Sequence, residues 1–270
     1  MADTDSDGRP GDCRLCGGGV VGRFSLRVLG KLDVTYSECS VCKSLQTAYP
    51  TWIEESYLQN LSGTDTGALQ RNLQNFAYAL IVSSIFDAKT AFDYGGGDGL
   101  LCRFLRDHSI DCYVYDKYSS PGYAQGFTTP PFERPDLLTA FEVFEHFVDP
   151  KAALAELFAK APQVMVVTTS LYTGQAADWW YLDPETGQHV FFYSPQALML
   201  IAQSYRYHVA QAGNCFLFVN QAVTDAEKKI FAAQKMLDGW IFQAIKSYMF
   251  SLPTPGSEKD FHDLQSRIER

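Results

Sequence analysis

The sequence lacks any apolar run long enough to cross a lipid bilayer, and the longest candidate is a short stretch at 164–167. It also lacks a block of five or six basic residues. Its 31 acidic side chains outnumber 22 basic ones and give a formal charge of −9. Because an acidic surface repels phosphate backbones, no nucleic-acid partner is expected. The polar, acidic N-terminus does not have the pattern of a secretory signal, so a cytoplasmic location is expected.

Cysteine, by contrast, is present in a pattern. Four of the seven cysteines form two C-x-x-C pairs, Cys13/Cys16 and Cys39/Cys42, with 22 residues between the pairs. Four thiolates at this spacing can surround one zinc ion tetrahedrally, and a site without an open position indicates a structural metal. Disulfides and unconnected thiols are the alternatives, and a reducing cytosol disfavours disulfides. We therefore predict a zinc ribbon in this part of the chain.

Strand and helix signals alternate from residue 89 onward. Predicted strands cover 90–95, 111–116, 136–143 and 163–170, and predicted helices cover 100–108, 149–161 and 194–205. A hairpin follows at 206–220, with its turn at "AGN". A further amphipathic helix is predicted at about 67–86. The alternation indicates an α/β fold with a largely parallel sheet.

A glycine-rich turn, "DYGGGDGL" at 93–100, joins the first strand of this region to its helix. Missing side chains let the backbone approach a ligand, and the N-terminus of the following helix favours a negatively charged group. The third glycine of a dinucleotide fingerprint would fall on position 100, which is leucine. The alternative is a turn that serves only strand–helix packing.

An acidic residue, Asp116, ends the second strand, 21 residues after Gly95. A carboxylate at this position can accept hydrogen bonds from both hydroxyls of a ribose. The alternative is a solvated acid in a turn. The position therefore favours a nucleoside-containing ligand.

Together these features resemble class I S-adenosylmethionine (SAM)-dependent methyltransferases. The resemblance covers roughly 89–220 and rests on "FDYGGGDGLL", Asp116, "FEVFEHFVDP" and the terminal hairpin. It implies a Rossmann-like α/β fold, a seven-stranded methyltransferase sheet with a C-terminal antiparallel hairpin, accompanied here by the small zinc ribbon and a C-terminal helix. It also implies SAM as cofactor. Structural zinc, predicted above from the cysteine spacing, is the second bound group that we expect. The cofactor-binding residues that the resemblance implies are Asp93, Tyr94, Gly95, Gly96, Gly97, Asp116 and Glu142.

The segment 171–194, "LYTGQAADWWYLDPETGQHVFFYS", is rich in aromatic residues and unusually long for a loop. Aromatic walls with a few polar groups suit a sugar ring or a planar substrate. His189 is the predicted general base, because an unperturbed histidine titrates near physiological pH. His146 and Tyr193 complete the candidate catalytic set. Structural roles for His189 and the aromatic residues, and a loop-capping hydrogen bond from His146, are the alternatives.

A narrower resemblance is carried by the cysteine module ahead of this domain and by "GQHVFFYS". Both are similar to bacterial sugar C-methyltransferases and to methyltransferases of glycan biosynthesis, where a histidine in a comparable segment is the base. The expected function is in-line methyl transfer from SAM to a small-molecule, sugar or glycan-type acceptor. A nucleic-acid or protein methyltransferase that uses the ribbon as its reader, and a non-catalytic SAM-binding scaffold, are the alternatives.

Five segments summarise the expected organisation. They are a disordered leader (1–11), the zinc ribbon (12–55), a helical connector (56–88), the SAM-binding methyltransferase domain (89–222) and a C-terminal helical extension with its tail (223–270). The extension carries an apolar stripe that includes Trp240 and Tyr248. Such a stripe belongs to the core or to a homodimer contact.

Overall fold

The computed structural model describes residues 11–57, 68–249, 251–252 and 259–260. All of the predicted leader except Gly11 lies outside the described residues, as does the part of the predicted connector at 58–67. The chain divides into two compact units. The first unit contains the described residues up to Tyr57 together with Glu142–Ala159 and Thr169–Arg206. The second contains the described residues from 68 to 141, Lys160–Thr168 and the described residues from Tyr207 onward.

The described residues form ten strands and seven α-helices. The strands are β1 (Val20–Val28), β2 (Leu32–Cys39), β3 (Leu45–Thr47), β4 (Thr90–Tyr94), β5 (Asp111–Tyr115), β6 (Leu137–Phe141), β7 (Val164–Thr168), β8 (Phe191–Phe192), β9 (Tyr207–Ala212) and β10 (Cys215–Asn220). The helices are α1 (Ile53–Ser56), α2 (Ala68–Phe86), α3 (Leu100–Asp107), α4 (Pro150–Ala159), α5 (Pro195–Tyr205), α6 (Ala226–Leu237) and α7 (Gly239–Met249). Short 3₁₀ turns lie at Gly122–Ala124, Phe144–His146 and Trp180–Leu182.

The second unit is built on one mixed sheet with the strand order β5-β4-β6-β7-β10-β9. Strands β5, β4, β6 and β7 are parallel, whereas β10 is antiparallel to both β7 and β9. This arrangement confirms the α/β fold and its terminal hairpin. The sheet has six strands in the described part of the chain where seven were expected, because the segment after β5 forms a 3₁₀ turn instead of a further strand.

The strand order creates a switch point at β4, whose neighbours β5 and β6 follow it in sequence and lie on its two sides. In open α/β sheets, ligands bind outside the carboxyl ends of the strands at such a point. The glycine turn that follows β4 and Asp116 after β5 both lie at this edge. All five residues of β7 are buried, which accounts for its continuous apolar sequence.

The first unit contains an antiparallel sheet with the order β1-β2-β3-β8. Strand β8 comes from the aromatic segment 171–194 and pairs with β3 through Leu45–Phe192 and Gln46–Phe191. A shared apolar core joins residues of the N-terminal strands to residues of this segment. Its most buried members are Val28, Tyr36, Leu45, Tyr172, Tyr181, Leu182, Val190 and Phe192. The domain boundaries predicted at 55, 88 and 222 stay a prediction.

Helix ends follow local chemistry. Ser194 caps α5, since its hydroxyl accepts a hydrogen bond from the Ala197 amide at 3.0 Å, and Pro195 occupies the first turn as predicted. The predicted single C-terminal helix is instead two helices, which separate at Asp238 and Gly239. Trp240 and Tyr248 are 79% and 67% exposed, so they do not belong to the core. A dimer contact through α7 stays a prediction.

Among the described residues, no helix combines the length and the apolar character needed to span a membrane.

Candidate functional site

The glycine turn after β4 depends on conformations that other residues rarely adopt. Gly95, Gly97 and Gly99 have φ angles of +73°, +54° and +79°. Gly96 is required for a different reason. A Cβ placed there would lie 2.2 Å from Asp93 Oδ2 and 2.6 Å from a methyl group of Val114. The turn therefore packs directly over the Asp93 carboxyl group.

The amides of this turn are used within the unit itself. Gly95 and Gly96 donate to the carbonyl oxygen of Tyr115 at 2.7 and 3.2 Å, and Gly97 donates to Asp116 Oδ2 at 2.9 Å. The first three glycine amides therefore fasten the turn to the end of β5. This differs from the expectation that these amides face a ligand, because the neighbouring strand supplies their acceptors.

Asp116 accepts three hydrogen bonds from the backbone. In addition to the Gly97 amide on Oδ2, the amides of Tyr118 and Ser119 donate to Oδ1 at 2.7 and 2.8 Å. A carboxylate offers about four lone-pair positions, so this arrangement leaves room for about one further donor. Asp116 is thus placed to accept one ribose hydroxyl, and accepting the second hydroxyl would displace a backbone donor.

Asp93 lies below the turn and is 2% exposed. The Thr139 hydroxyl donates to its Oδ1 at 2.7 Å, while Oδ2 has no hydrogen-bond partner within the described ranges. Burial raises the pKa of this carboxyl to about 7, and the nearby Asp116 adds to the shift. An unpaired, buried acceptor of this kind suits a ligand that brings a positive charge. Tyr94, the next residue, is half-buried, and its ring lies 5.3 Å from that of Tyr115.

In the first unit, the four cysteines of the two C-x-x-C pairs come together as predicted. Their sulfur atoms lie within 4.8 Å of one another. The Sγ atoms of Cys13 and Cys42 are 3.6 Å apart, and those of Cys16 and Cys39 are 3.5 Å apart. These separations are too long for disulfides and close to the edge of about 3.8 Å expected when four sulfurs surround zinc at about 2.3 Å. The Val41 and Cys42 amides donate to Cys39 Sγ at 3.3 and 3.4 Å, which would stabilise a thiolate.

The cysteine cluster is joined to the aromatic segment by hydrogen bonds. Arg14, inside the first pair, donates to the carbonyl oxygen of Val190 and lies over the ring of Phe191 at 5.8 Å. The Ser194 hydroxyl donates to the carbonyl oxygen of Cys42. Burial lowers the pKa of Arg14 to about 10. These contacts position the strand that follows His189, and Arg14 is a residue that sequence reasoning did not select.

Three side chains of the first unit lie close together, two from the 3₁₀ turn Phe144–His146 and one from the segment 171–194. They are Glu145, His146 and His189, and one ligand-type atom of each lies within 4.8 Å of the others. Glu142, three residues before Glu145, has a φ of +53°, which is an unusual value for a residue with a side chain. The Tyr181 hydroxyl donates to Glu142 Oε2 at 3.1 Å. That Glu142 faces the cofactor stays a prediction.

Both histidines are anchored through Nδ1. His189 Nδ1 lies 2.7 Å from the carbonyl oxygen of Tyr181, and His146 Nδ1 lies 3.1 Å from that of Gln188 and 2.9 Å from the Tyr57 hydroxyl. A carbonyl oxygen can only accept, so Nδ1 of His189 carries a proton and its neutral ring keeps the lone pair on Nε2. His146 Nδ1 faces both a carbonyl acceptor and a hydroxyl that can donate, so its contacts are compatible with either tautomer. Burial lowers the pKa of His146 to about 3 and also lowers that of His189.

Tyr193, the third predicted catalytic residue, is fully buried. Its ring lies 4.8 Å from that of Phe191 and 5.5 Å from that of Phe144. Its hydroxyl has no partner in the described part of the chain, and burial raises its pKa well above the ordinary value. Tyr181 contacts both Glu142, through its hydroxyl, and His189, through its carbonyl oxygen. The sequence analysis did not distinguish it from the other aromatic residues of the segment 171–194.

Comparison with known proteins gives the following matches. The family model described as a methyltransferase domain matches residues 63–212. No curated protein matches the chain. Among solved structures, the methyltransferase domain of bacterial CtHen1-C is 20% identical with a TM-score of 0.40, and the match covers 56% of this chain and 100% of that one. Magnesium protoporphyrin IX methyltransferase from Synechocystis PCC 6803 with bound SAH is 14% identical with a TM-score of 0.43, over 62% and 92%. Human N-acetylserotonin methyltransferase in complex with SAM is 14% identical with a TM-score of 0.39, over 63% and 65%.

Proposed function

The chain belongs to the methyltransferase-domain family, and from this premise we propose that it transfers a methyl group from SAM to a small-molecule, sugar or glycan-type acceptor. When bound, SAM supplies a methyl group on a sulfonium sulfur, and the acceptor must be held in line with that bond. The residues that would hold SAM are those at the carboxyl edge of the sheet, Asp93, Tyr94 and Gly95–Gly97 with Asp116.

The unpaired Oδ2 of Asp93 is the observation that carries the SAM assignment. It is a buried carboxylate oxygen directly beneath Gly96, and the Thr139 hydroxyl uses only the other oxygen. The ammonium group of the methionine moiety can supply both the missing donor and the missing charge. Asp116 has room for one ribose hydroxyl. The donors and acceptors at this edge therefore fit the cofactor.

The acceptor must lose a proton if its nucleophile is a hydroxyl or a carbon acid. His189 is the proposed base, because its Nδ1 proton is fixed by the Tyr181 carbonyl and its lone pair is on Nε2. Burial lowers the pKa of His189, which favours the neutral ring. His146 and Tyr193 are proposed to support this site, His146 through its T-shaped contact with His189 at a centroid distance of 4.9 Å.

Aromatic residues support an acceptor with a ring. Trp180 is 76% exposed, and its ring packs at 5.2 Å against buried Tyr181, which contacts His189 at 4.6 Å. An exposed indole beside a buried aromatic cluster suits stacking against a sugar or planar ring. The acidic net charge does not favour nucleic acid.

We also propose that the four-cysteine cluster binds structural zinc. All four ligands are thiolates, so no position is left for a substrate. The contacts from Arg14 and Ser194 make this cluster a support for the strand after His189. Its contribution to catalysis would therefore act through positioning.

Cofactor binding can be tested with the substitution Asp116→Asn, measured by titration calorimetry with SAM. Losing a charge-assisted hydrogen bond costs about 1.5–3 kcal/mol, so affinity should fall roughly 10- to 100-fold. Asp87→Asn is the matched control, since Asp87 is an exposed acid whose φ of +54° asparagine also tolerates. Equal affinity of Asp116→Asn and the control would refute the cofactor site.

The role of His189 can be tested with His189→Asn and a panel of glycan and small-molecule acceptors, by following formation of S-adenosylhomocysteine. Loss of a general base lowers turnover by about 10²- to 10⁴-fold while SAM affinity stays unchanged. His208→Asn, a half-buried histidine on β9, is the matched control. Full turnover by His189→Asn would exclude a chemical role for this side chain.

A further inference from the structure

In the group formed by Glu145, His146 and His189, the carboxyl group of Glu145 is buried without hydrogen-bond partners among the described residues. The base proposed above, His189, does not depend on this feature. Glu145 is completely buried, at 0% exposure, and neither of its carboxylate oxygens has a hydrogen-bond partner among the residues that the structure describes. A buried carboxylate without donors is costly unless it takes up a proton or a cation compensates it. The side chain therefore has two buried oxygen acceptors that a cation could use.

One ring nitrogen of each histidine lies within 4.8 Å of a carboxylate oxygen of Glu145. His146 Nε2 lies 4.0 Å from Glu145 Oε1, and the ring of His189 meets that of His146 edge to face. The Tyr181 carbonyl accepts from His189 Nδ1, and His146 Nδ1 lies near the Gln188 carbonyl and the Tyr57 hydroxyl. Contacts of this kind at Nδ1 orient metal-binding histidines in proteins, since a ring protonated at Nδ1 leaves Nε2 for the ion.

The charge around the group also favours a cation. Glu142 precedes Glu145 by three residues, and repulsion between the two acids acts on Glu145. A divalent ion would offset the repulsion between two ionised carboxylates.

We propose that Glu145, His146 and His189 bind one divalent first-row transition ion through a carboxylate oxygen and two Nε2 atoms. Two imidazoles and one carboxylate form a ligand set that such ions accept, and three protein ligands leave coordination positions open. The four-cysteine cluster differs in having only soft thiolate ligands and no open position. The two sites are therefore chemically distinct.

This inference gives His189 a role as metal ligand in place of the role as base, and it rests on the proposed function only for its consequence. A bound ion would occupy the Nε2 lone pair, so His189 could not also accept a proton. The ion would instead hold an acceptor oxygen and lower the pKa of its hydroxyl, whose proton would pass to solvent water. A metal here would thus favour an oxygen acceptor over a carbon or nitrogen one.

Metal binding can be measured directly, without SAM or acceptor. Protein with zinc-loaded cysteines is titrated with Mn²⁺, and the free ion is followed by electron paramagnetic resonance. Mn²⁺ is chosen because it prefers oxygen and imidazole ligands over thiolates. We expect one Mn²⁺ per chain. Glu145→Gln, which keeps the shape of the side chain, should weaken binding at least about tenfold.

Two further measurements separate ligand loss from misfolding. Mn²⁺ should raise the Tm of the wild type by mass action and leave that of Glu145→Gln unchanged, while both proteins keep the same SAM affinity. His189→Asn should weaken Mn²⁺ binding in the same way, and His208→Asn should not. Failure of the wild type to bind Mn²⁺, or equal binding by Glu145→Gln, would overturn the metal site and leave His189 as the base. Loss of SAM binding with Mn²⁺ binding retained would instead refute the proposed function alone.

Discussion

Replacing Asp93 with asparagine tests whether this side chain lowers the free energy of unfolding while it strengthens SAM binding. The carboxyl group is 2% exposed and its Oδ2 has no partner within the described residues. Burial raises its pKa from the ordinary value of 3.8 to about 7. Asparagine keeps the shape of the side chain and its acceptor for the Thr139 hydroxyl, but it cannot ionise. The substitution therefore removes a buried charge while leaving the packing in place.

The sign of the pH dependence follows from linkage. Between pH 3.8 and about 7 the folded protein binds a proton at Asp93 that the unfolded chain does not, so the free energy of unfolding falls as pH rises through this window. One pH unit corresponds to about 1.4 kcal/mol, so about three units give about 4 kcal/mol in all. Asparagine removes this dependence. The new amide donor adds a cost of about 1–3 kcal/mol that does not vary with pH.

The informative quantity is the difference in unfolding free energy between Asp93→Asn and the wild type, followed by urea denaturation from pH 5 to pH 7. It should shift in favour of the variant by about 1.4 kcal/mol per pH unit well below pH 7 and by less near pH 7, or about 2 kcal/mol over the range. Other titrating groups cancel in this difference. Asp87→Asn, at an exposed position, is the control and should show no such slope.

Cofactor affinity should move in the opposite direction. Asp93→Asn should bind SAM at least about tenfold more weakly at pH 8, because the ammonium group loses its ionised partner. Wild-type affinity should itself decline as pH falls below about 7 and Asp93 becomes protonated. A stability difference that does not vary with pH would refute the burial argument. Unchanged SAM affinity would refute the assignment of Asp93 Oδ2 to the ligand.

Two further predictions concern the cysteine cluster and the glycine turn. Removing zinc with a chelator should reduce turnover more than SAM affinity, because Ser194 and β3 connect the cysteine cluster to the strand after His189. The zinc content, the turnover and the SAM affinity are measured before and after chelation. An equal loss of turnover and of SAM affinity would contradict this prediction. Gly96→Ala would place a Cβ 2.2 Å from Asp93 Oδ2, so it should cost about 1–3 kcal/mol of stability and weaken SAM binding. Gly22→Ala, whose nearest contact would be an ordinary 3.7 Å, is its control, and equal melting temperatures for the two variants would argue against close packing at Gly96.

Local and short-range features of this protein could be read from its sequence. The two C-x-x-C pairs predicted a four-cysteine cluster, since ligand spacing is a local property. The glycine turn after β4 and Asp116 after β5 follow from the alternation of strand and helix signals. The Ser194 cap of α5 depends only on neighbouring residues. The C-terminal helix was less predictable, because its apolar stripe continues across Asp238 and Gly239, where the backbone separates α6 from α7.

The tertiary structure decided which distant residues share a site. Nothing in the local pattern of "HVFFYS" indicates that Phe191 and Phe192 pair with β3, because pairing depends on long-range register rather than propensity. The burial of Glu145 and the anchoring of both histidines through Nδ1 likewise arise from segments distant in sequence. Sequence therefore determined which groups are available and which local turns they form. Burial and the geometry of long-range contacts determined their charge states, their free lone pairs and hence their chemistry.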